Sequence, residues 1–205
     1  MSKSFKTFLF VLLITAFGFN KSNENYNNKI GEKISDFKLK NVDNTLVSMS
    51  DFKNAKGFMI VFTCNHCPFA KLYSKRLNDL NKKYKPLGVP LLAINSMDSL
   101  LYKEESFELM QTKAKSDKIN FFYLQDATQS VGKDFRAKHT PQAYVIWKED
   151  NNWIVKYEGA IDDDGENPKK ANPFISKAVN ELLSGKKVTL PQTESFGCRI
   201  FYRKN

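Results

Sequence analysis

Two cysteines with the spacing C-x-x-C are the residues whose type and position most clearly carry chemistry. Cys64 and Cys67 follow the apolar run 57–62, which predicts a buried strand. Residues 70–84 then place apolar side chains at helical spacing. The predicted apolar face of that helix comprises Leu72, Leu77, Leu80 and Tyr84. The order of strand, cysteine pair and helix puts both thiols at the start of a helix.

A helix start is an environment that activates a thiol. Free backbone N–H groups and the positive end of the helix dipole stabilise a thiolate relative to a thiol. Cysteines of C-x-x-C pairs at such positions have pKa values of roughly 3.5–7.5. We therefore expect a lowered pKa and a reactive thiolate at Cys64.

The chain has three cysteines in all, and the third is Cys198. Three cysteines are too few for a framework of disulfides and suit a redox pair on a fold that hydrophobic packing stabilises. We favour Cys198 as a tail cysteine of unknown role. A third redox cysteine that exchanges with the pair is the alternative.

Metal and haem sites use the same residue types, and the spacing argues against both. The zinc-type ligands are Cys64, His66, Cys67 and His139, without the second paired module that structural zinc usually needs. Haem attachment requires C-x-x-C-H, and Pro68 stands where that histidine would be. We therefore predict no metal and no cofactor. A structural disulfide in a non-catalytic binding domain stays as an alternative.

The composition is that of a globular protein with one well-cored domain. The 205 residues are 41% hydrophobic and 26% charged, with a formal net charge of +10. The lysines are scattered among acidic residues and form no basic block. We therefore predict no nucleic-acid partner.

The N-terminus has the pattern of an export signal. In residues 1–18, two lysines precede an apolar run that is shorter than the ~20 residues needed to span a bilayer. We expect cleavage after Gly18 and a periplasmic or extracytoplasmic location. An uncleaved segment would instead anchor the protein to the membrane. Residues 19–30 are polar and predict a linker.

Residues 31–185 predict one α/β domain, followed by an irregular tail at 186–205. Besides the strand and helix around the cysteines, the predicted elements are a small hairpin at 34–49, a buried strand at 89–94, an inserted helix and strand at 104–124, a short helix at 126–138, an antiparallel hairpin at 143–157 and a last helix ending at Gly185. Two near-continuous apolar strands joined by a helix favour a parallel pairing.

Two motifs together resemble a known family. The segment F-T-C-N-H-C-P at 62–68 and the dipeptide Thr140-Pro141 before a hairpin resemble the thioredoxin-like superfamily, in its redoxin (AhpC/TSA-like) branch. The inserted helix and strand resemble an insertion of that branch. Residues 196–200 resemble the ending of a redoxin subfamily with a T-C-N-H-C-P motif.

The resemblance implies a fold and an activity. The fold would be thioredoxin-like: a central mixed sheet flanked by helices, with an inserted helix–strand and an N-terminal hairpin. The enzyme would be a thiol–disulfide oxidoreductase in which Cys64 attacks a disulfide and Cys67 resolves the mixed disulfide. Thr140 and a cis Pro141 would hold the substrate by strand-like hydrogen bonds. Its partners would be protein or small-molecule disulfides or thiols and a redox partner protein.

The residues between the cysteines are expected to tune the pair. Asn65 and His66 lie there, and a protonated His66 would stabilise the thiolate and raise the reduction potential. We interpret His139 as a surface histidine, and place Phe69 and Trp147 in the core.

Two features depart from the family pattern. The strand at 57–62 has no Asp or Glu, so the proton acceptor of the second thiol is unassigned. The peroxidatic motif P-x-x-x-T-x-x-C is absent, because Thr63 is adjacent to Cys64. A peroxiredoxin-like antioxidant peroxidase is therefore the alternative activity rather than the main one.

Overall fold

A computed structural model describes residues 29–204, so the predicted signal segment and most of the linker lie outside the described residues. The strands in this range are β1 (Lys33–Ile34), β2 (Lys38–Asn41), β3 (Leu46–Ser48), β4 (Gly57–Phe62), β5 (Leu91–Asn95), β6 (Phe122–Gln125), β7 (His139–Thr140), β8 (Gln142–Glu149), β9 (Asn152–Gly159) and β10 (Cys198–Arg199). The helices are α1 (Pro68–Lys71), α2 (Ser74–Tyr84), α3 (Phe107–Ser116), α4 (Ser130–Phe135) and α5 (Phe174–Leu183). Across residues 29–204, no helix has the length and apolar character needed to cross a bilayer.

Eight strands form one mixed sheet in the order β1-β9-β8-β4-β5-β6-β2-β3. β4 pairs in parallel with β5, and β5 with β6, while the remaining neighbours are antiparallel. The predicted strand–helix–strand unit, the N-terminal hairpin β2–β3 and the hairpin β8–β9 are therefore confirmed. The insertion consists of α3 and β6, also as predicted.

The central strand β4 is buried at all six positions. Phe58, Ile60 and Phe62 pack into the core on the face that α4 covers. Met59 and Val61 pack into the core on the opposite face, beneath α2 and α5. A strand covered on both faces needs an unbroken apolar run, which explains the residues of this segment. The loop that carries the cysteines therefore begins at the end of a strand that is packed on both faces.

The single helix predicted after the cysteines is divided into α1 and α2. Leu72, the first residue of its predicted apolar face, is not buried. Between α1 and α2, the N–H groups of Leu72 and Tyr73 donate to carbonyls three residues back. Such tight turns advance about 120° per residue, so the apolar phase slips by part of a turn. Tyr73 takes the buried position at 1% exposure, and Leu72 is 46% exposed. Phe69, predicted to be core, is likewise exposed.

The C-terminal segment is folded onto the domain, which corrects the predicted irregular tail. β10 pairs antiparallel with β7, and Cys198 lies opposite Thr140. The N–H of Ile200 donates to the carbonyl of Lys138, and the Ile200 side chain is buried. A two-residue strand has too little periodicity to be recognised in a sequence. Its partner strand is also short and distant along the chain.

The different burial of two leucines on the predicted helix face gives a matched test of this packing. Leu77→Ala removes a side chain that is 2% exposed and should cost about 2–5 kcal/mol of unfolding free energy. Leu72→Ala removes an exposed side chain and should change that free energy by no more than about 0.5 kcal/mol. Urea unfolding followed by circular dichroism measures both. Equal losses would show that the two leucines share one buried face.

Candidate active site

The two cysteines of the C-x-x-C motif lie in the loop that joins β4 to α1. The N–H of Thr63 donates to the Ile94 carbonyl at 2.9 Å, which continues the β4–β5 pairing to the edge of the loop. Cys67 is the N-cap residue of α1, and Pro68 is the first residue of that helix. Both Cys64 and Cys67 are fully buried.

The disulfide in this structure joins Cys67 to Cys198, and Cys64 is a free thiol. The sequence indicated a Cys64/Cys67 pair and could not place Cys198 near it. In the structure, β10 carries Cys198 to the N-terminus of α1, across 131 residues of sequence from Cys67. All three cysteines of the chain therefore meet at one place.

Thr140 contacts each of the three cysteines. Its Oγ1 lies 3.1 Å from Cys64 Sγ, and its carbonyl oxygen lies 3.3 Å from Cys67 Sγ. The same hydroxyl donates to the carbonyl of Cys198 at 3.4 Å. A hydroxyl can both donate and accept, so either the Cys64 thiol or the Thr140 hydroxyl can be the donor in their contact. The Thr140–Pro141 peptide bond is cis, as predicted.

The expectation of an acidic Cys64 thiol is wrong for this structure. Burial, and next to it the negative charge of Glu105, raise the pKa of Cys64 to about 11. The Thr140 hydroxyl and the Cys67 N–H act in the opposite direction but more weakly. The helix gives little help because α1 has only four residues and its N-cap is Cys67, three residues after Cys64.

Glu105 is a site residue that the sequence did not reveal. Its carboxylate is fully buried and accepts four hydrogen bonds. One oxygen accepts from the Asn65 N–H at 2.8 Å and from Asn95 Nδ2 at 2.7 Å. The other accepts from the His66 N–H at 3.2 Å and from His66 Nδ1. The strand before the cysteines carries no acid, but Glu105 places a buried carboxylate beside Cys64. Glu105 lies in the charged run 103–105, and nothing in the sequence distinguishes it as the buried member.

The residues between the cysteines are held by the insertion. Asn65 is buried; its Nδ2 donates to the Glu104 carbonyl at 2.9 Å, and its Oδ1 accepts from the Tyr123 hydroxyl at 2.7 Å. The His66 ring pairs with Glu105 and stacks on Tyr102 at 5.9 Å between ring centroids. Both side chains therefore fix the conformation of the loop.

A metal would find three donor groups near one another here. Ligand atoms of Cys64, His66 and Glu105 lie within 4.8 Å of one another. Each Glu105 oxygen already accepts two hydrogen bonds from the protein, so the loop's own groups account for the position of the carboxylate. His139 precedes Thr140 on β7 and is half-buried. Its Nδ1 is 3.2 Å from Ser195 Oγ, and burial together with Lys138 and Arg199 lowers its pKa.

A family model described as the AhpC/TSA family matches residues 30–162, which is more than half of the chain. The chain belongs to the AhpC/TSA family. This is the redoxin branch that the cysteine and proline motifs resemble, and the thioredoxin-like fold follows from it. No curated protein matches the chain.

Solved structures share this fold over most of the chain. An uncharacterised conserved protein from Geobacillus kaustophilus is 35% identical, with a TM-score of 0.78 over 86% of this chain and 93% of its own. A hypothetical protein from Sinorhizobium meliloti 1021 is 30% identical, with a TM-score of 0.78 over 86% of this chain and 96% of its own. A protein described as a putative thiol:disulfide interchange protein DsbE, from Chlorobium tepidum, is 20% identical, with a TM-score of 0.53 over 64% and 84%. At that identity the last comparison speaks for the fold.

The burial of Cys64 predicts an unusual pH dependence for its alkylation. Below a pKa of about 11, the thiolate fraction grows about tenfold per pH unit, so the rate with iodoacetamide should still be rising at about pH 10. Glu105→Gln removes a charge that raises the pKa of Cys64, so its profile should shift to lower pH. Glu104→Gln changes the exposed neighbour and should leave the profile in place. A wild-type plateau near the ordinary thiol pKa of about 8.5 would contradict the assignment.

Proposed function

We propose that this protein is a thiol–disulfide oxidoreductase that uses Cys64 and Cys67 through a mixed disulfide. The observation that carries the proposal is the meeting of all three cysteines at Thr140, beside a cis proline. One cysteine is free and the other two are joined, which is an arrangement that thiol–disulfide exchange can interconvert. Membership of a redoxin family supports the same class of chemistry.

The reaction begins once an external thiol has reduced the Cys67–Cys198 disulfide. The Cys64 thiolate attacks one sulfur of the substrate disulfide, which forms a mixed disulfide and releases the first substrate thiol. Cys67 then attacks Cys64 Sγ, which forms the Cys64–Cys67 disulfide and releases the second substrate thiol. Two electrons pass from the protein to the substrate. Each departing thiolate takes up one proton.

The Glu105–His66 pair is the group we assign to receive the proton of Cys64. A ring nitrogen of His66 and a carboxylate oxygen of Glu105 lie within 4.8 Å of Cys64 Sγ. The His66 side chain is 38% exposed, which gives the proton a path to solvent. Because the thiol is buried, deprotonation needs such a nearby acceptor. Asn65 and His66 thus tune the pair mainly by holding this carboxylate and the loop in register.

We propose that the substrates are disulfides or thiols of proteins or small molecules, with a redox partner protein on the other side of the cycle. The exposed ring of Phe69 beside the buried Cys67 offers an apolar contact for such a partner. We also propose an extracytoplasmic location, which the export-signal pattern of residues 1–18 supports; those residues lie outside the described part of the chain. A partner in that compartment would have to carry thiols.

Two rival functions make different predictions. A structural disulfide explains Cys67–Cys198 but gives the free Cys64 no purpose at the same site. A peroxidase would need a Cys64 that peroxide can reach and oxidise. The missing peroxidatic motif argues against it.

Removing the Cys64 sulfur tests the proposal. The full chain with dithiothreitol as electron donor should accelerate the reduction of insulin, and Cys64→Ser should lower that rate to the background. Cys67→Ser should accumulate a mixed disulfide between Cys64 and substrate, detectable by mass spectrometry. Circular dichroism checks that each variant is folded.

Two outcomes would decide for a rival function. A Cys64→Ser variant as active as the wild type would exclude the proposed mechanism. Consumption of hydrogen peroxide that depends on Cys64, without reduction of insulin, would identify a peroxidase.

A further inference from the structure

The geometry points to Cys198 as a third catalytic cysteine, which takes over the disulfide from the Cys64–Cys67 pair and holds it at Cys67–Cys198 until an external thiol reduces it. This inference rests on the proposed function and deepens it. It assigns the C-terminal segment 197–199 as an internal substrate of the site, bound where an external strand would bind.

The segment occupies the strand edge beside the cis proline. Cys198 lies opposite Thr140, and Arg199 lies opposite His139 in the antiparallel pairing of β10 with β7. A two-residue ladder is a weak element by itself. Its position places the Cys198 sulfur against Cys67, which is the geometry of a mixed disulfide between the site and a bound strand. The protein thus binds its own tail as it would bind a cysteine-containing peptide.

The fit of the segment depends on a residue without a side chain. Gly197 has φ = 146°, and a Cβ at this position would overlap the carbonyl oxygen of Thr140. That carbonyl belongs to the same residue that contacts all three cysteines. A close backbone approach of this kind requires glycine. The tail is therefore shaped to bring Cys198 to the site.

Contacts on both sides of the segment hold it there. Before it, the ring of Phe196 packs edge-on against Phe69 of α1, with ring centroids 6.1 Å apart. After it, the Tyr202 hydroxyl donates to the Ala137 carbonyl at 2.7 Å, and Gln129 Nε2 donates to the Phe201 carbonyl at 2.9 Å. The segment is thus fixed at each end, so the local concentration of Cys198 near Cys67 is high.

Access to the disulfide gives Cys198 its role. Cys64 and Cys67 are fully buried, whereas Cys198 is only partly buried. A disulfide confined to Cys64–Cys67 beneath the tail would be hard for another protein's thiol to reach. Once it lies at Cys67–Cys198, one of its sulfurs is near the surface. Cys198 therefore passes oxidising equivalents between the buried pair and a reducing partner.

The transfer balances as an internal thiol–disulfide exchange. The Cys198 thiolate attacks Cys67 Sγ of the Cys64–Cys67 disulfide, forming the Cys67–Cys198 bond and releasing the Cys64 thiolate. The Cys64 thiolate takes up the proton that Cys198 lost. The oxidation level of the protein is unchanged. An external dithiol then reduces Cys67–Cys198 to two thiols and is itself oxidised to a disulfide.

Mapping disulfides during one round of oxidation tests the inference. The reduced full chain is mixed with one equivalent of oxidised glutathione, quenched with an alkylating agent at successive times and mapped by mass spectrometry. In the wild type, Cys64–Cys67 should form first and then decay into Cys67–Cys198. In Cys64→Ser, Cys67–Cys198 should form about tenfold more slowly or worse. In Cys198→Ser, the final disulfide should be Cys64–Cys67.

A pair of glycine variants separates docking of the tail from loss of a thiol. Gly197→Ala keeps all three cysteines and should slow the transfer to Cys67–Cys198 by about tenfold, with Cys64–Cys67 accumulating. Gly185→Ala is the control, since Gly185 also has a positive φ of 71° but no atom within 4 Å of an added Cβ. Its time course should match the wild type.

The contradicting outcomes are distinct for the two levels of the proposal. Formation of Cys67–Cys198 at equal rates in the wild type and Cys64→Ser would overturn the inference, because the bond would then form without the pair. So would a final Cys64–Cys67 disulfide in the wild type. Failure of glutathione disulfide to react with Cys64 in both the wild type and Cys198→Ser would instead overturn the proposed function.

Discussion

Thr140 is fully buried and shares its two oxygen atoms among three cysteines, which is the contact on which the arrangement of the site depends. Its hydroxyl stands between the Cys64 thiol and the backbone of Cys198, and its carbonyl faces Cys67. This residue ends β7 and precedes the cis Pro141, and the cysteines meet at its hydroxyl and its carbonyl. The loop from β4 supplies two of them, and the C-terminal segment supplies the third.

A second constraint acts on the other side of the loop. The Glu105 carboxylate satisfies the backbone N–H groups of Asn65 and His66, which a short helix start would otherwise leave unpaired. The same negative charge disfavours a thiolate on Cys64. The loop is therefore held by a group that opposes ionisation of the cysteine inside it. This opposition suits a closed, oxidised form in which Cys64 rests as a neutral thiol.

The sequence predicted the features whose causes are local. The apolar run of β4, the hairpins and the strand–helix–strand unit follow from patterns that a few consecutive residues carry. The cis bond at Pro141 followed from the family resemblance and is confirmed. The predicted burial of Leu72 was wrong because a tight turn between α1 and α2 shifts the helical phase of the apolar residues. Neighbouring residue types do not encode that turn.

Residues brought in from far along the chain could not be predicted in this way. Glu105 reaches His66 across 39 residues, and Cys198 reaches Cys67 across 131. Neither residue has neighbours that distinguish it from solvent-facing charges or an unstructured tail. The lowered pKa expected of Cys64 was wrong for the same reason, because it depends on residues that are distant along the chain. Burial and the charge of the distant Glu105 outweigh a short helix whose N-cap lies three residues later.

A redox titration at equilibrium tests the central claim, which is that the three cysteines form one two-electron unit. The protein is equilibrated in buffers of reduced and oxidised dithiothreitol, and each cysteine is assigned by differential alkylation. The account predicts one transition in which Cys67 and Cys198 lose their thiols together and Cys64 keeps its own. A transition that consumes Cys64 and leaves Cys198 reduced would contradict it.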